Sequence, residues 1–285
     1  MRNYLVASDL SGRSDHALAR AAALARGDDD ARITLLHVID EAGPASTEAE
    51  DRLRAQAARV VPASVALRCV TLPGDPDETI LRLARETGAA LILMGVPRPR
   101  RFLQGLAGTT AERVLTAAAC PVAVVRHPAD RPWHRILLAL AEDRSALPVA
   151  RTLDRLGLVR GADVTVLHAT HLPSPPTLRT GGLSSVSLQR LDNEAMAHLE
   201  LRLRRRLRPA LKAAGHLHYA LRHGAAPTAL ARMQREDRFD LLVTGARGQG
   251  ALRRLILGST SAEMIRNAEI DLICVPVGPL RKPAI

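Results

Sequence analysis

Two stretches decide the fold: "YLVASDLSGRSDHALARAAALA" at residues 4–25 and "RILLALAEDRSALPVARTLDRL" at residues 135–156. Each reads as a short apolar strand, a small polar turn and an amphipathic helix. The next strand, "ITLLHV" at residues 33–38, returns as "VTVLHA" at residues 164–169, with His37 and His168 131 residues apart, the offset that also separates Tyr4 from Arg135. Further on, Gly74 and Gly224, Gly95 and Gly245, and "GTT" at Gly108 and "GST" at Gly258 lie 150 apart. The chain is therefore an internal repeat. Its second copy carries 19 extra residues around 171–190, where "HLPSPPTLRTGGLSSVS" has the composition of a surface loop.

Within each copy apolar runs alternate with helical stretches, as in "DETILRLARETG" before "ALILMG" and "PTALARMQREDRF" before "DLLVTG". Such alternation predicts an α/β fold with a parallel, doubly wound sheet. Each copy closes with another apolar strand, "PVAVV" from Pro121 and "DLICVPV" from Asp271, and "HPADRPWHR" joins the copies. Two tandem domains, 1–130 and 131–285, follow.

Composition narrows the function. Aromatic residues make up 2% of the 285, too few for a stacking platform for single-stranded nucleic acid. No window approaches the roughly 18 apolar residues of a membrane span, and "MRNYLVASDL" lacks a signal-peptide core, so a cytoplasmic location is expected. Cys69, Cys120 and Cys274 are far apart and odd in number, the pattern of ordinary buried thiols rather than a disulfide framework or zinc site. Residues 1–130 hold 16 basic and 16 acidic side chains, leaving 24 basic and 13 acidic for the remainder. The net charge of +11 thus sits in the second half, which favours polyanionic partners.

The glycine-rich run "GARGQGALRRLILGS" at residues 245–259 follows a strand end, where open parallel sheets collect ligands. It has neither the Lys-Ser/Thr of a P-loop nor the spacing GxGxxG. On its composition it is either a phosphate cradle or a turn with an N-cap behind it. Thr260 and Glu263 have capping-box spacing, and a helix start of this kind offers free amides to an anion.

Gly245, Gly248, Gly258 and Ser259 resemble the G-x2-G-x9-G-S/T signature of the ATP-binding branch of the universal stress protein family. The opening "YLVASDLS", the "LLHV" and "VLHA" strands, the "GDP" and "GAAP" turns and the closing "CPVAVV" resemble that family too, across nearly the whole chain and twice. The resemblance implies two Rossmann-like (adenine nucleotide alpha hydrolase-like) domains, each a mostly parallel five-stranded sheet with helices on both faces, packed through their last strands. It implies that Gly245, Gly248, Gly258, Ser259 and Thr260 hold the phosphates of ATP (or ADP or AMP), with Ala169 near the adenine. Arg247 would add a charge-assisted hydrogen bond.

In the first copy Gly95, Gly108 and Thr109 match, but Arg98 between Pro97 and Pro99 replaces the second glycine and makes that motif degenerate. Conversely Asp9 matches the family's acidic residue at the end of strand one, and the repeat offset puts Leu140 at the equivalent place, where no hydrogen bond to ribose or base is available. The expected ligand is an adenine nucleotide bound mainly by the second domain, in a regulatory or stabilising role.

Other constellations point elsewhere only weakly. Around "LRLRRRLRP" at residues 201–209, the leucines 199, 203 and 207 recur every fourth residue and predict a buried helix stripe with arginines on its wet face, so nucleic acid is not the expected partner. His168, His171 and His223 fall near strand ends, but His37 has no such companions in the other copy, which favours a structural role over a metal site. No catalytic motif is present, so the chain is not expected to be an enzyme. The alternative to nucleotide binding is an interaction scaffold with both pockets decayed, in which the 19-residue insertion contacts a protein or an acidic lipid; a homodimer is a partner that either reading allows.

Overall fold

The computed structural model describes residues 2–26, 28–39, 46–96, 109–140, 146–170, 185–247 and 270–277. The chain divides into two compact units, one of residues 1–132 with 246–279, the other of residues 133–245 with 280–285.

In the first unit the strands are β1 (Arg2–Ser8), β2 (Ala31–Ile39), β3 (Leu67–Pro73), β4 (Leu91–Gly95) and β5 (Val122–Val125), in the order β3-β2-β1-β4-β5 and all parallel. Helices α1 (Gly12–Ala25), α2 (Ser46–Val60), α3 (Pro76–Glu86) and α4 (Thr110–Ala117) connect them. Helix α1 packs with α2, and α3 with α4, which covers both faces of the sheet. Burial on both faces explains why the central strands are continuous apolar runs: Tyr4, Leu5, Val6, Leu91, Ile92 and Leu93 are fully buried. The edge strand β3, by contrast, is half exposed.

The second unit repeats the plan with β6 (Arg135–Ala139), α5 (Ala146–Arg155), β7 (Asp163–Thr170), α6 (Ser185–Leu207), β8 (His216–His223), α7 (Ala226–Glu236) and β9 (Leu241–Arg247). Its strands are parallel in the order β9-β6-β7-β8. Leu199, Leu203 and Leu207 of α6 are buried, as their fourfold spacing predicts, and Arg204 lies over the Tyr219 ring at 4.6 Å.

The last strand of the second copy, β10 (Asp271–Val277), belongs to the first unit and runs antiparallel to β5, with Ile273 opposite Ala123. A buried polar cluster fixes it there. Asp271 Oδ1 accepts from the amides of Arg126 at 2.7 Å and His127 at 3.3 Å, and Oδ2 lies 3.5 Å from Arg20 Nη2. Arg20 Nη1 in turn donates to the Arg131 carbonyl at 2.7 Å, so α1, the inter-repeat linker and β10 share one buried ion pair.

Strand registers revise the repeat offset. Tyr4 stands opposite Ile33 and Leu91, whereas Ile136 stands opposite Val164 and Leu241. Structurally, then, β6 lies 132 residues after β1, although β7 lies 131 after β2. Burial follows the same shift, since Ser14, Ala17, Leu18, Arg20 and Ala21 of α1 are matched by Ala146, Val149, Ala150, Thr152 and Leu153 of α5. Leu140 therefore occupies the place of Ser8, not that of Asp9. The second copy has one residue fewer between α5 and β7, and an Ala/Leu-rich strand offers no landmark from which sequence could locate it.

Candidate functional site

The path of the chain reverses between β1 and β4, because β1 leads outward to β2 while β4 returns on the other side, and a crevice forms beyond the strand ends at such a point. There a cavity of about 420 Å³ is lined by Ser8, Asp9, Arg13, His37, Gly95 and Thr109 among others.

The turn from β1 into α1 supplies its acidic wall. Leu10 holds φ 58°, a left-handed conformation that costs a non-glycine residue on the order of 1 kcal/mol. Two bonds stabilise it: the Leu10 amide donates to Ser8 Oγ at 3.0 Å, and the Ser11 amide donates to Asp9 Oδ1 at 3.1 Å. The Ser11 hydroxyl also donates to Asp9 Oδ1. Asp9 is exposed at the cavity mouth.

Gly95 ends β4 where α1 begins. A Cβ there would lie 2.7 Å from the Arg13 carbonyl oxygen and 2.8 Å from its carbon, so close packing of α1 on the strand end already requires glycine.

The opposite wall is the first turn of α4. Thr109 caps the helix in a reciprocal box: its hydroxyl accepts from the Glu112 amide at 3.3 Å, and its own amide donates to Glu112 Oε2 at 2.9 Å. Of the four end amides this leaves those of Thr110 and Ala111, both residues lining the cavity, without a hydrogen bond among the described residues. They point along the positive end of the helix dipole. Arg113 binds α4 to α3, with Nε 2.7 Å from Asp77 Oδ1. Burial raises the Asp77 carboxyl above the ordinary range, whereas Asp75, hydrogen-bonded by Asp77, lies below it.

At the end of β2, His37 Nδ1 donates to the Ser8 carbonyl at 2.8 Å. His168 makes the corresponding bond to the Leu140 carbonyl at 2.9 Å and is buried, while His223 Nε2 lies 3.1 Å from Asp192 Oδ2. Among the described residues no His, Cys, Asp and Glu cluster could hold a metal ion. His171 lies outside them.

Of the sequence-derived site residues, Asp9, Gly95 and Thr109 are brought together around the first-copy cavity. Ala169 and Gly245 stand half-buried at the carboxyl ends of the strands flanking β6, and Arg247 is the last residue of β9. Gly108, Arg98, Gly248, Gly258, Ser259 and Thr260 lie outside the described residues. Sequence reading passed over Ser8, Arg13 and Thr110 as lining residues. The strand-end position of Ser8, next to Asp9, was the available signal.

A family model described as the universal stress protein family matches residues 1–126 and again residues 132–276. The chain belongs to the universal stress protein family. Among solved structures, a universal stress protein from Archaeoglobus fulgidus superposes with a TM-score of 0.63 at 18% identity, covering 96% of this chain and 98% of that one. A functionally unknown protein from Pseudomonas aeruginosa PAO1 gives 0.62 at 19% identity, covering 97% and 92%. At these identities the likeness establishes the tandem fold. Among curated proteins, the Synechocystis Na(+)/H(+) antiporter NhaS5 is 38% identical over 105 residues, which is 35% of this chain and 15% of the antiporter. The Synechocystis universal stress protein Slr1230 is 37% identical over 62 residues, or 22% of each chain. The matched stretches thus span less than a quarter of those relatives' length. No described helix of this universal stress protein is long and apolar enough to cross a membrane.

Proposed function

We propose that the chain is a cytoplasmic stress-response protein that binds an adenine nucleotide, as ATP, ADP or AMP, and uses its occupancy to regulate or stabilise rather than to drive a reaction. The observation that carries this reading is the cavity of about 420 Å³ between Asp9 and the first turn of α4. Its volume falls in the range of small-ligand sites. The Asp9 carboxylate suits the hydroxyls of a ribose or an exocyclic amine, because it accepts and cannot donate. The Thr110 and Ala111 amides with the α4 dipole suit a phosphate.

Glu112 already places negative charge at that helix start. The intact spacing of Gly245, Gly248, Gly258, Ser259 and Thr260, with Arg247 in the loop, therefore assigns the larger share of triphosphate affinity to the second copy. Calorimetric titration with ATP tests both sites. Gly248→Val removes the tighter binding event, and Asp9→Ala weakens the remaining one about tenfold, the effect of one charged hydrogen bond. Wild-type protein that gives no heat with ATP, ADP or AMP overturns the reading.

A second reading, an interaction scaffold for a protein or an acidic lipid partner, draws on Leu191 and Leu201, which are 48% and 45% exposed on the arginine-rich α6. It predicts that nucleotide-free protein binds anionic vesicles or a protein partner and that Leu201→Glu abolishes the contact.

A further inference from the structure

Beneath the turn that carries Asp9 lies a buried relay of hydrogen bonds that reaches α2. The Leu10 amide donates to Ser8 Oγ at 3.0 Å, and the Ser8 hydroxyl donates to Gln56 Oε1 at 2.6 Å. Gln56 Nε2 donates to Ser14 Oγ at 3.1 Å and to Asp15 Oδ1 at 2.6 Å. The Ser14 hydroxyl donates to the Ser11 carbonyl at 2.7 Å, and Arg59 Nη2 closes the relay on Asp15 Oδ2 at 2.7 Å. The Ser8 and Ser14 oxygens also approach to 3.1 Å, but each proton has a shorter acceptor elsewhere.

Each donated hydrogen in this relay has its own acceptor, the two of the Gln56 amide going to Ser14 and Asp15, so the orientation of that amide is fixed: the reversed amide would set NH2 against the Leu10-bonded Ser8 and oxygen against Asp15. Ser8, Ser14 and Gln56 are all buried. They grip both ends of the Ser8–Ser11 segment, whose middle contains the left-handed Leu10 and the cavity-lining Asp9.

The second copy lacks this device. The strand registers put Leu140 in the place of Ser8, and the burial patterns of α1 and α5 put Ala146 in that of Ser14, both buried and apolar. Buried Leu53 and Ala57 of α2 correspond to Leu203 and Leu207 of α6, which puts Arg206 in the place of Gln56.

We infer that Gln56 is a positioning residue for the nucleoside end of the first-copy site: from outside the cavity it holds the strained turn that presents Asp9. This rests on the reading of the cavity as a nucleotide site. Gln56 has no contact with ligand to make; it acts through Ser8, Leu10 and Asp9.

The test is a double-mutant cycle in a Gly248→Val background, which isolates the first-copy site, with ATP affinity measured by calorimetry and folding checked by thermal unfolding. Gln56→Leu weakens ATP binding about tenfold when Asp9 is present and leaves it unchanged in Asp9→Ala. Ser8→Ala, a milder change at the other end of the relay, behaves alike and carries the test if Gln56→Leu does not fold. An equal loss with and without Asp9, or no loss at all, overturns the inference while the nucleotide reading stands. Absence of ATP binding in the Gly248→Val background overturns the first-copy site and the inference with it.

Discussion

His168 Nδ1 lies 2.9 Å from the carbonyl oxygen of Leu140, repeating the 2.8 Å bond between His37 and Ser8 in the other copy. Each imidazole ties the end of one strand to the end of its neighbour. His168 is the more enclosed, so His168→Leu, which leaves the Leu140 carbonyl without this donor, lowers stability by about 1–2 kcal/mol. Urea denaturation checks it, and a midpoint equal to wild type contradicts it.

Asp271 holds β10 and the inter-repeat linker at once. Asp271→Ala strands the buried Arg20 guanidinium and the Arg126 and His127 amides, and destabilises the first unit by about 3–5 kcal/mol. Asp271→Asn keeps an acceptor for the amides and loses less. A thermal scan that ranks the two variants the other way would count against the cluster as the anchor of β10.

Gly95→Ala forces a methyl group to within 2.7 Å of the Arg13 carbonyl. Backbone must move to admit it, at a cost of about 1–3 kcal/mol. The shift falls on the first turn of α1 and so on Asp9, and ATP affinity declines together with stability. Retained stability would mean that α1 and β4 can separate freely.

Much of the architecture was legible because its signals are periodic. The two βαβ beginnings, the apolar runs that became fully buried strands, and the leucines at 199, 203 and 207 all express burial through spacing. What escaped was information carried by contacts distant in sequence. One residue dropped after α5 shifted the repeat offset from 132 to 131, and no polar landmark in "RILLAL" revealed it, so Leu140 was paired with Asp9 rather than Ser8. Asp271 looked like the start of a fifth strand for the second copy, yet its partners, the buried Arg20 and the Arg126 amide, lie over a hundred residues earlier. Gln56 sits in the alanine- and arginine-rich "RAQAARV", where nothing marks it as the one polar side chain turned inward. Gly95 read as a possible phosphate contact, whereas its missing Cβ is also demanded by Arg13.

The three thiols should be quiet in the folded state. Burial pushes Cys120 up to about 11 and Cys274 up to about 12, and raises Cys69 as well. At pH 8 only about a thousandth of Cys120 is thiolate, the reactive form. Iodoacetamide therefore labels Cys120 and Cys274 slowly in native protein and all three rapidly in denaturant. Fast native labelling of Cys274 would show that β10 opens.

Stability should fall on the acid side partly through Asp163, whose carboxyl is held below the usual range, first by its hydrogen bond with His216. A depressed carboxylate contributes fully above its unfolded value of about 3.9 and loses that contribution as pH drops through the folded value. Asp163→Asn accordingly flattens the stability profile below about pH 4 and lowers it above. Parallel profiles for variant and wild type would exclude the linkage.

The central claim is that a nucleotide occupies the crevice between Asp9 and α4, and a crystal structure grown in the presence of ATP tests it most directly. The account predicts electron density for adenosine against Asp9, with a phosphate oxygen accepting from the Thr110 or Ala111 amide. An empty crevice in a crystal whose protein has bound ATP elsewhere contradicts it.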